Sequence, residues 1–244
     1  MSPFLGELVG TASLVMLGDA VMARVRLADR EGEPFGEGRI ALGWSMAVFT
    51  GMLIASLASG AHLNPAVTIG LSLSGMFPAA SVSSYLIAQG LGALVGSALA
   101  WLACLPQWPR TGSPTATLAC FCSVPAIRAP LGNLMATVVG SAVMVLAFLS
   151  LRSAVEISTD VLVSVVLWSA GGAAIVLALG LGVGLTHGLN PARDIGGRLA
   201  HALLPLPAKG DSDWNGAWIP LIGPLLGAML AAWVFRAIVP VDVA

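Results

Sequence analysis

The chain has 244 residues, 57% of them hydrophobic and only 9% charged, with a mean hydropathy of +0.91 and a formal net charge of −1. Soluble domains carry about 25% charged residues, so this composition describes an integral membrane protein. No basic field or Lys/Arg cluster is present to track phosphates, which excludes nucleic acid as a partner.

The first apolar run, near residues 3 to 25, follows Met1-Ser2-Pro3, has no basic leader and contains Glu7. It reads as a first membrane span rather than a cleaved secretory signal. A second span is expected near residues 39 to 59. The next apolar piece, headed by Leu63-Asn64-Pro65-Ala66-Val67, has about 11 residues, too short for the roughly 20 that a crossing helix needs. Asn is a good helix N-cap and Pro suits the first helical position, so the triplet Asn64-Pro65-Ala66 reads as the start of a short helix. A third span lies near residues 81 to 104. The segment near 105 to 130, with Pro106, Pro109, Pro114, Pro125 and Pro130, reads as an extended outer loop. Spans follow near 131 to 152 and 161 to 183, then a second short piece headed by Leu189-Asn190-Pro191-Ala192-Arg193, then a last span near 217 to 239. Short apolar pieces of this kind are re-entrant half-helices or surface amphipathic helices; the former require protein or a water-filled cavity to satisfy the backbone.

A duplication favours the re-entrant reading. The chain has only four asparagines, yet two of them head an Asn-Pro-Ala triplet. Glu7-Leu8-Val9-Gly10-Thr11-Ala12 precedes the first triplet by a distance similar to that separating Thr137-Val138-Val139-Gly140-Ser141-Ala142 from the second. Residues 1–244 are therefore expected to form a single transmembrane domain, with repeat one at about 3–104, a linker at about 105–130 and repeat two at about 131–240. Each unit has an odd number of spans, so the second is inverted and the two half-helices enter from opposite faces.

Ser59-Gly60-Ala61-His62-Leu63-Asn64-Pro65-Ala66-Val67-Thr68 and Gly188-Leu189-Asn190-Pro191-Ala192-Arg193-Asp194 resemble the paired motifs of the major intrinsic protein family, the aquaporins and glycerol facilitators. The resemblance covers nearly the whole chain. It implies an all-α, aquaporin-like bundle of six transmembrane helices plus two half-helices, assembled as a homotetramer with one pore per subunit. The physics of such a site is accessible beside the resemblance. An N-cap Asn spends its side-chain oxygen on its own helix, which leaves the NH2 free to point into the lumen. Two half-helix N-termini each carry roughly half a positive charge, and head to head they raise a barrier to cations and protons.

Arg193 falls in the first turn of the second half-helix. A guanidinium stays charged and offers five donors, so in a dry constriction it binds hydroxyls and repels cations. The family builds its constriction from this arginine and three further residues, which a gapless count from the triplets maps to Trp44, Ala178 and His187. Trp44 matches the tryptophan of glycerol facilitators, where the indole walls the carbon chain. Ala178 leaves room where water-selective members usually place His. His187 departs from both patterns, since glycerol facilitators usually have an aromatic carbon ring there and water channels often a small residue. Beside Arg193 an imidazole favours its neutral form, so no steep change of flux is expected between pH 6 and 8.

Glu7 matches a buried glutamate that the family uses to hold the re-entrant loop, whereas the symmetric position here is Thr137, a poorer acceptor. His62 falls where family members line the inner vestibule, or is a satisfied structural histidine. Asp194, Arg198 and Pro220-Leu221 resemble the glycerol-type pattern; Asp194 also has a structural reading, as an acid suited to a helix's first turn. Gly92, Gly96, Gly223 and Gly227 are spaced for close helix crossing.

Family members keep both termini in the cytoplasm. That places Arg26, Arg30, Arg39, Arg110, Arg128, Arg198 and Lys209 outside, against the positive-inside rule. Cys104, Cys120 and Cys122 imply neither a disulfide framework nor a zinc site. The polar residues near the pore lack an acid and base paired at helical spacing, so no catalytic, cofactor or metal site is expected. The expected function is passive passage of glycerol and related small neutral solutes with some water, across a cell membrane spanned several times. Alternatives are a water-selective pore, a urea or metalloid channel, or a non-conducting structural membrane protein.

Overall fold

A computed structural model describes residues 1–27, 36–110, 112–155, 159–183, 188–207 and 209–239. Among these the regular structure is entirely helical. The six long helices are α1 (Pro3–Arg26), α2 (Gly36–Ser59), α4 (Val82–Ala103), α6 (Pro130–Val155), α7 (Val161–Val183) and α9 (Trp218–Ile238). All six are long and apolar enough to cross a membrane. Two short helices, α3 (Pro65–Leu73) and α8 (Pro191–Leu203), start at the prolines of the two triplets. At 9 and 13 residues they are half-helices, as their sequence predicts.

The two halves of the chain pack in corresponding ways. Helix α1 lies between α2 and α4, and α6 correspondingly packs on α7 and α9. The units join through α2 against α7, and each half-helix packs on the last span of the opposite unit, α3 on α9 and α8 on α4. The predicted glycine contacts occur at equivalent crossings. A Cβ at Gly92 or Gly96 would come within 2.5 Å of the Leu8 or Ala12 carbonyl of α1, and one at Gly227 within 2.6 Å of the Val138 carbonyl of α6. Backbones this close leave no space for a side chain, which fixes the depth of each pair. Outward faces carry exposed Leu57, Leu102, Val139, Leu162 and Trp233, as expected where hydrocarbon rather than water is the solvent.

The linker differs from the extended loop read from its prolines. Pro114–Phe121 forms a two-turn helix, α5, with Ser113 as N-cap accepting from the Ala116 amide at 3.2 Å and Pro114 in its first turn. Proline interrupts a helix internally but suits its start, so the same residue that suggests a loop here opens a helix. Thr117, Leu118, Cys120 and Phe121 are buried, and Phe121 packs between Trp108 and His201. The linker is a lid folded onto α8 and α1. Several cations that follow the first, third and fifth spans are paired: Arg26 with Glu37 at 2.6 Å, Arg128 with Asp213 at 3.2 Å and Arg198 with Asp194 at 2.6 Å.

Candidate functional site

The two half-helices meet N-terminus to N-terminus, each capped by its asparagine. Asn64 Oδ1 accepts from the Ala66 amide at 2.9 Å, and Asn190 Oδ1 accepts from the amides of Ala192 and Arg193 at 3.1 and 3.3 Å. Pro65 and Pro191 occupy the first turn, where their missing N–H costs no hydrogen bond. The asparagine NH2 groups are not wholly free, contrary to the reading from capping alone. Asn64 donates to the Leu189 carbonyl at 3.1 Å and Asn190 to the Leu63 carbonyl at 2.9 Å. Each triplet thus clasps the backbone before the other. Each NH2 has two hydrogens, so one remains to meet a passing oxygen.

The first re-entrant loop is strained and tightly held. Gly60, Ala61 and Leu63 have φ of +81°, +53° and +54°, a conformation that side-chain-bearing residues rarely adopt. The buried Glu7 carboxylate holds it from α1, accepting from the Ser59 hydroxyl at 2.7 Å and the His62 amide at 2.9 Å on one oxygen, and from the Leu63 amide at 2.8 Å and Gln89 at 2.7 Å on the other. Tyr85 and Trp168 close the loop by donating to the carbonyls of Ser59 and Gly60 at 2.7 and 2.8 Å. The Nδ1 of His62 lies 3.2 Å from Thr68 Oγ1 and its ring packs on Phe77 and Tyr85, while the residue also lines the central cavity.

The second half-helix is fastened from outside. Thr137, the counterpart of Glu7, donates to the Asn133 carbonyl of its own helix at 2.7 Å. Instead, Asp194 accepts from the Ser123 amide at 2.8 Å and from Arg198 Nε at 2.6 Å, and Arg198 in turn donates to the carbonyls of Ser123, Ser212 and Asp213 at 3.0, 2.8 and 2.6 Å. Both side chains are about 1% exposed. Asp194 and Arg198 therefore act as a structural rivet and lie outside the cavity lining. Beside them His201 Nδ1 lies 2.9 Å from Ser212 Oγ, and burial lowers its pKa to about 4. Burial likewise pushes the Cys122 thiol up to about 12 and raises that of Cys120, so both remain protonated thiols.

A cavity of about 40 Å³ lies at the junction, room for a few water-sized molecules. Its polar groups come from His62, Asn64, Asn190 and Arg193, its apolar wall from residues such as Leu14, Val48, Met144, Phe148 and Val176, with Trp44 on its border. The Arg193 guanidinium is fully buried, with Cζ 5.0 Å above the Trp44 ring centroid, a cation–π geometry. Arg193 Nη2 donates to Asp19 Oδ1 at 3.1 Å and to the Cys120 carbonyl at 3.4 Å. Arg193 Nε and Nη1 and the Trp44 Nε1 have no hydrogen-bond partner among the described residues.

Trp44, Arg193 and the asparagines of both triplets thus converge on one space. Ala178 does not join them: it shares an exposed face of α7 with Ala174 and Leu181, and among the described residues of α7 it is Val176 that lines the cavity. A count along the chain carries no information on how α7 is rotated. His187 lies outside the described residues. Sequence reasoning missed Asp19, Ser97 and the Cys120 carbonyl. For Asp19 a signal was available, since an ionisable residue within a membrane span marks a functional position by default.

A family model described as "Major intrinsic protein" matches residues 1–235. The chain is 42% identical over 241 residues to a probable glycerol uptake facilitator protein of Thermotoga maritima, covering 96% of this chain and all of the relative. It is 39% identical over 235 residues to a glycerol uptake facilitator protein of Streptococcus pneumoniae, covering 96% and 98%. Among solved structures, the aquaglyceroporin of Plasmodium falciparum superposes with a TM-score of 0.82 at 26% identity, covering 96% of this chain and 95% of that one.

Proposed function

The chain belongs to the major intrinsic protein family, and from that premise we propose that it is a passive channel for glycerol and similar small polyols, with water, in the cell membrane that its six spans cross. It is a transporter rather than an enzyme. The observation that carries the polyol reading is the pairing of Arg193 with Trp44. A polyol has a carbon side and a hydroxyl side. The indole face and the apolar wall suit the first, while for the second Arg193 Nε, Arg193 Nη1 and Trp44 Nε1 supply donors that none of the described residues takes up. We assign the constriction to Trp44, Arg193 and α7 at Val176, joined by His187. Asn64 and Asn190 offer one N–H each at the midpoint, and the opposed half-helix dipoles, with the arginine, discourage cations and hydronium.

The repeat boundaries, about 3–104 and 131–240 around the linker, cytoplasmic termini and a homotetramer with one pore per subunit complete the reading. Osmotic swelling of proteoliposomes in glycerol, urea and a neutral metalloid acid, with water flux measured in parallel, tests it. Rapid glycerol entry that does not saturate is expected. Vesicles that pass only water would establish the water-selective alternative, and vesicles as tight as protein-free lipid would establish the non-conducting one.

A further inference from the structure

One turn of α1 shapes both walls of the constriction. At residue 18 only hydrogen fits, because a Cβ there would lie 2.4 Å from the Trp44 indole. Glycine is thus what seats the aromatic wall. The next residue, Asp19, is about 1% exposed inside a membrane span. Its Oδ1 accepts from Arg193 Nη2 at 3.1 Å and its Oδ2 from the Ser97 hydroxyl of α4 at 2.6 Å. Ser97 is brought there by the close crossing of α1 and α4 at Gly96. Both carboxylate oxygens are therefore engaged, one on each side, which fixes the plane of the group.

We infer that Asp19, braced by Ser97, is a positioning residue that holds the Arg193 guanidinium back against the pore wall and so sets the clearance for polyols. This rests on the channel reading and adds to it. The guanidinium is planar, so fixing the Nη2 corner fixes where Nε and Nη1 point. The other tether of Nη2, the Cys120 carbonyl, is long at 3.4 Å and cannot hold the corner alone. Without Asp19 the side chain swings towards the lumen, obstructing a polyol more than a water molecule. The carboxylate has a second consequence. What faces the lumen is one member of an ion pair rather than a lone cation, so more of the discrimination against cations falls on the opposed half-helices.

The test is the ratio of glycerol to water permeability in proteoliposomes, per assembled protein, for Asp19→Ala, Asp19→Asn and Ser97→Ala, with Asp19→Ala repeated in an Arg193→Ala background. Asp19→Ala should lower the ratio about tenfold, which corresponds to one buried, charge-assisted contact of about 1.4 kcal/mol. Asp19→Asn, which can keep both hydrogen bonds but not the charge, and Ser97→Ala should each lower it about threefold. In the Arg193→Ala background, Asp19→Ala should change the ratio less than about twofold, because a residue acting through the arginine has nothing left to act on. An unchanged ratio in assembled Asp19→Ala, or an equal fall in both backgrounds, overturns the inference. If Asp19→Ala does not assemble, Ser97→Ala decides, since it leaves the ion pair in place, and an unchanged ratio there is equally fatal. Wild-type vesicles impermeable to glycerol would contradict the channel reading itself, an outcome distinct from either.

Discussion

The two half-helices begin with the same triplet and are capped alike, yet opposite means hold them. The first hangs from inside the bundle, where one carboxylate of α1 collects amides from a strained loop and the side chains of Ser59 and Gln89. The second is bolted from outside, by Asp194 and Arg198 to the linker and to the loop before α9. What the two units share is the caps, the facing N-termini and the reciprocal clasp of each asparagine on the opposite backbone.

Removing one member of the outer rivet should have the largest effect. Asp194→Ala leaves the buried Arg198 without its partner acid, at a cost of about 3–5 kcal/mol, read as a lower midpoint of thermal unfolding in detergent and loss of solute flux. Glu7→Gln should follow at about 3 kcal/mol, because the new NH2 turns a donor towards the Leu63 amide or the Gln89 amide group. Should either variant unfold like wild type, the corresponding fastener is not what holds its half-helix.

Acid should separate the two regions more gently. The folded pKa of His201, about 4, lies below the ordinary 6.5 of the unfolded chain. Its contribution is therefore present in full above pH 6.5 and is lost as pH falls through about 4. Replacing His201 by Gln should flatten the acid limb of the unfolding curve by about 1–2 kcal/mol. The smallest effect is expected at Thr137, the formal counterpart of Glu7. Thr137→Val removes only a bond within one helix and should cost less than about 1 kcal/mol. A loss there as large as at Glu7 would mean that the second loop is held from inside after all.

The legible parts of the molecule were those written in local chemistry. Runs of apolar residues located all six spans to within a few residues, and Asn followed by Pro located both half-helix starts. Ser113-Pro114 carries the same kind of start signal for α5, hidden among prolines that suggested a loop. Relations between distant segments were not legible. The asparagine amides reach across more than a hundred residues, Asp19 meets Arg193 from the other end of the chain, and the rotation of α7 that presents Val176 to the cavity follows from packing against α2. Capping rules state what an asparagine oxygen does and are silent on where its NH2 goes.

The most direct test of the account measures glycerol and proton movement in the same vesicles, by light scattering and an entrapped pH-sensitive dye under an imposed pH gradient. A channel built from opposed half-helix dipoles, with Arg193 over Trp44, predicts rapid glycerol entry while the gradient persists as long as in protein-free vesicles. Glycerol entry no faster than through bare lipid, or a gradient that collapses as glycerol enters, would contradict it.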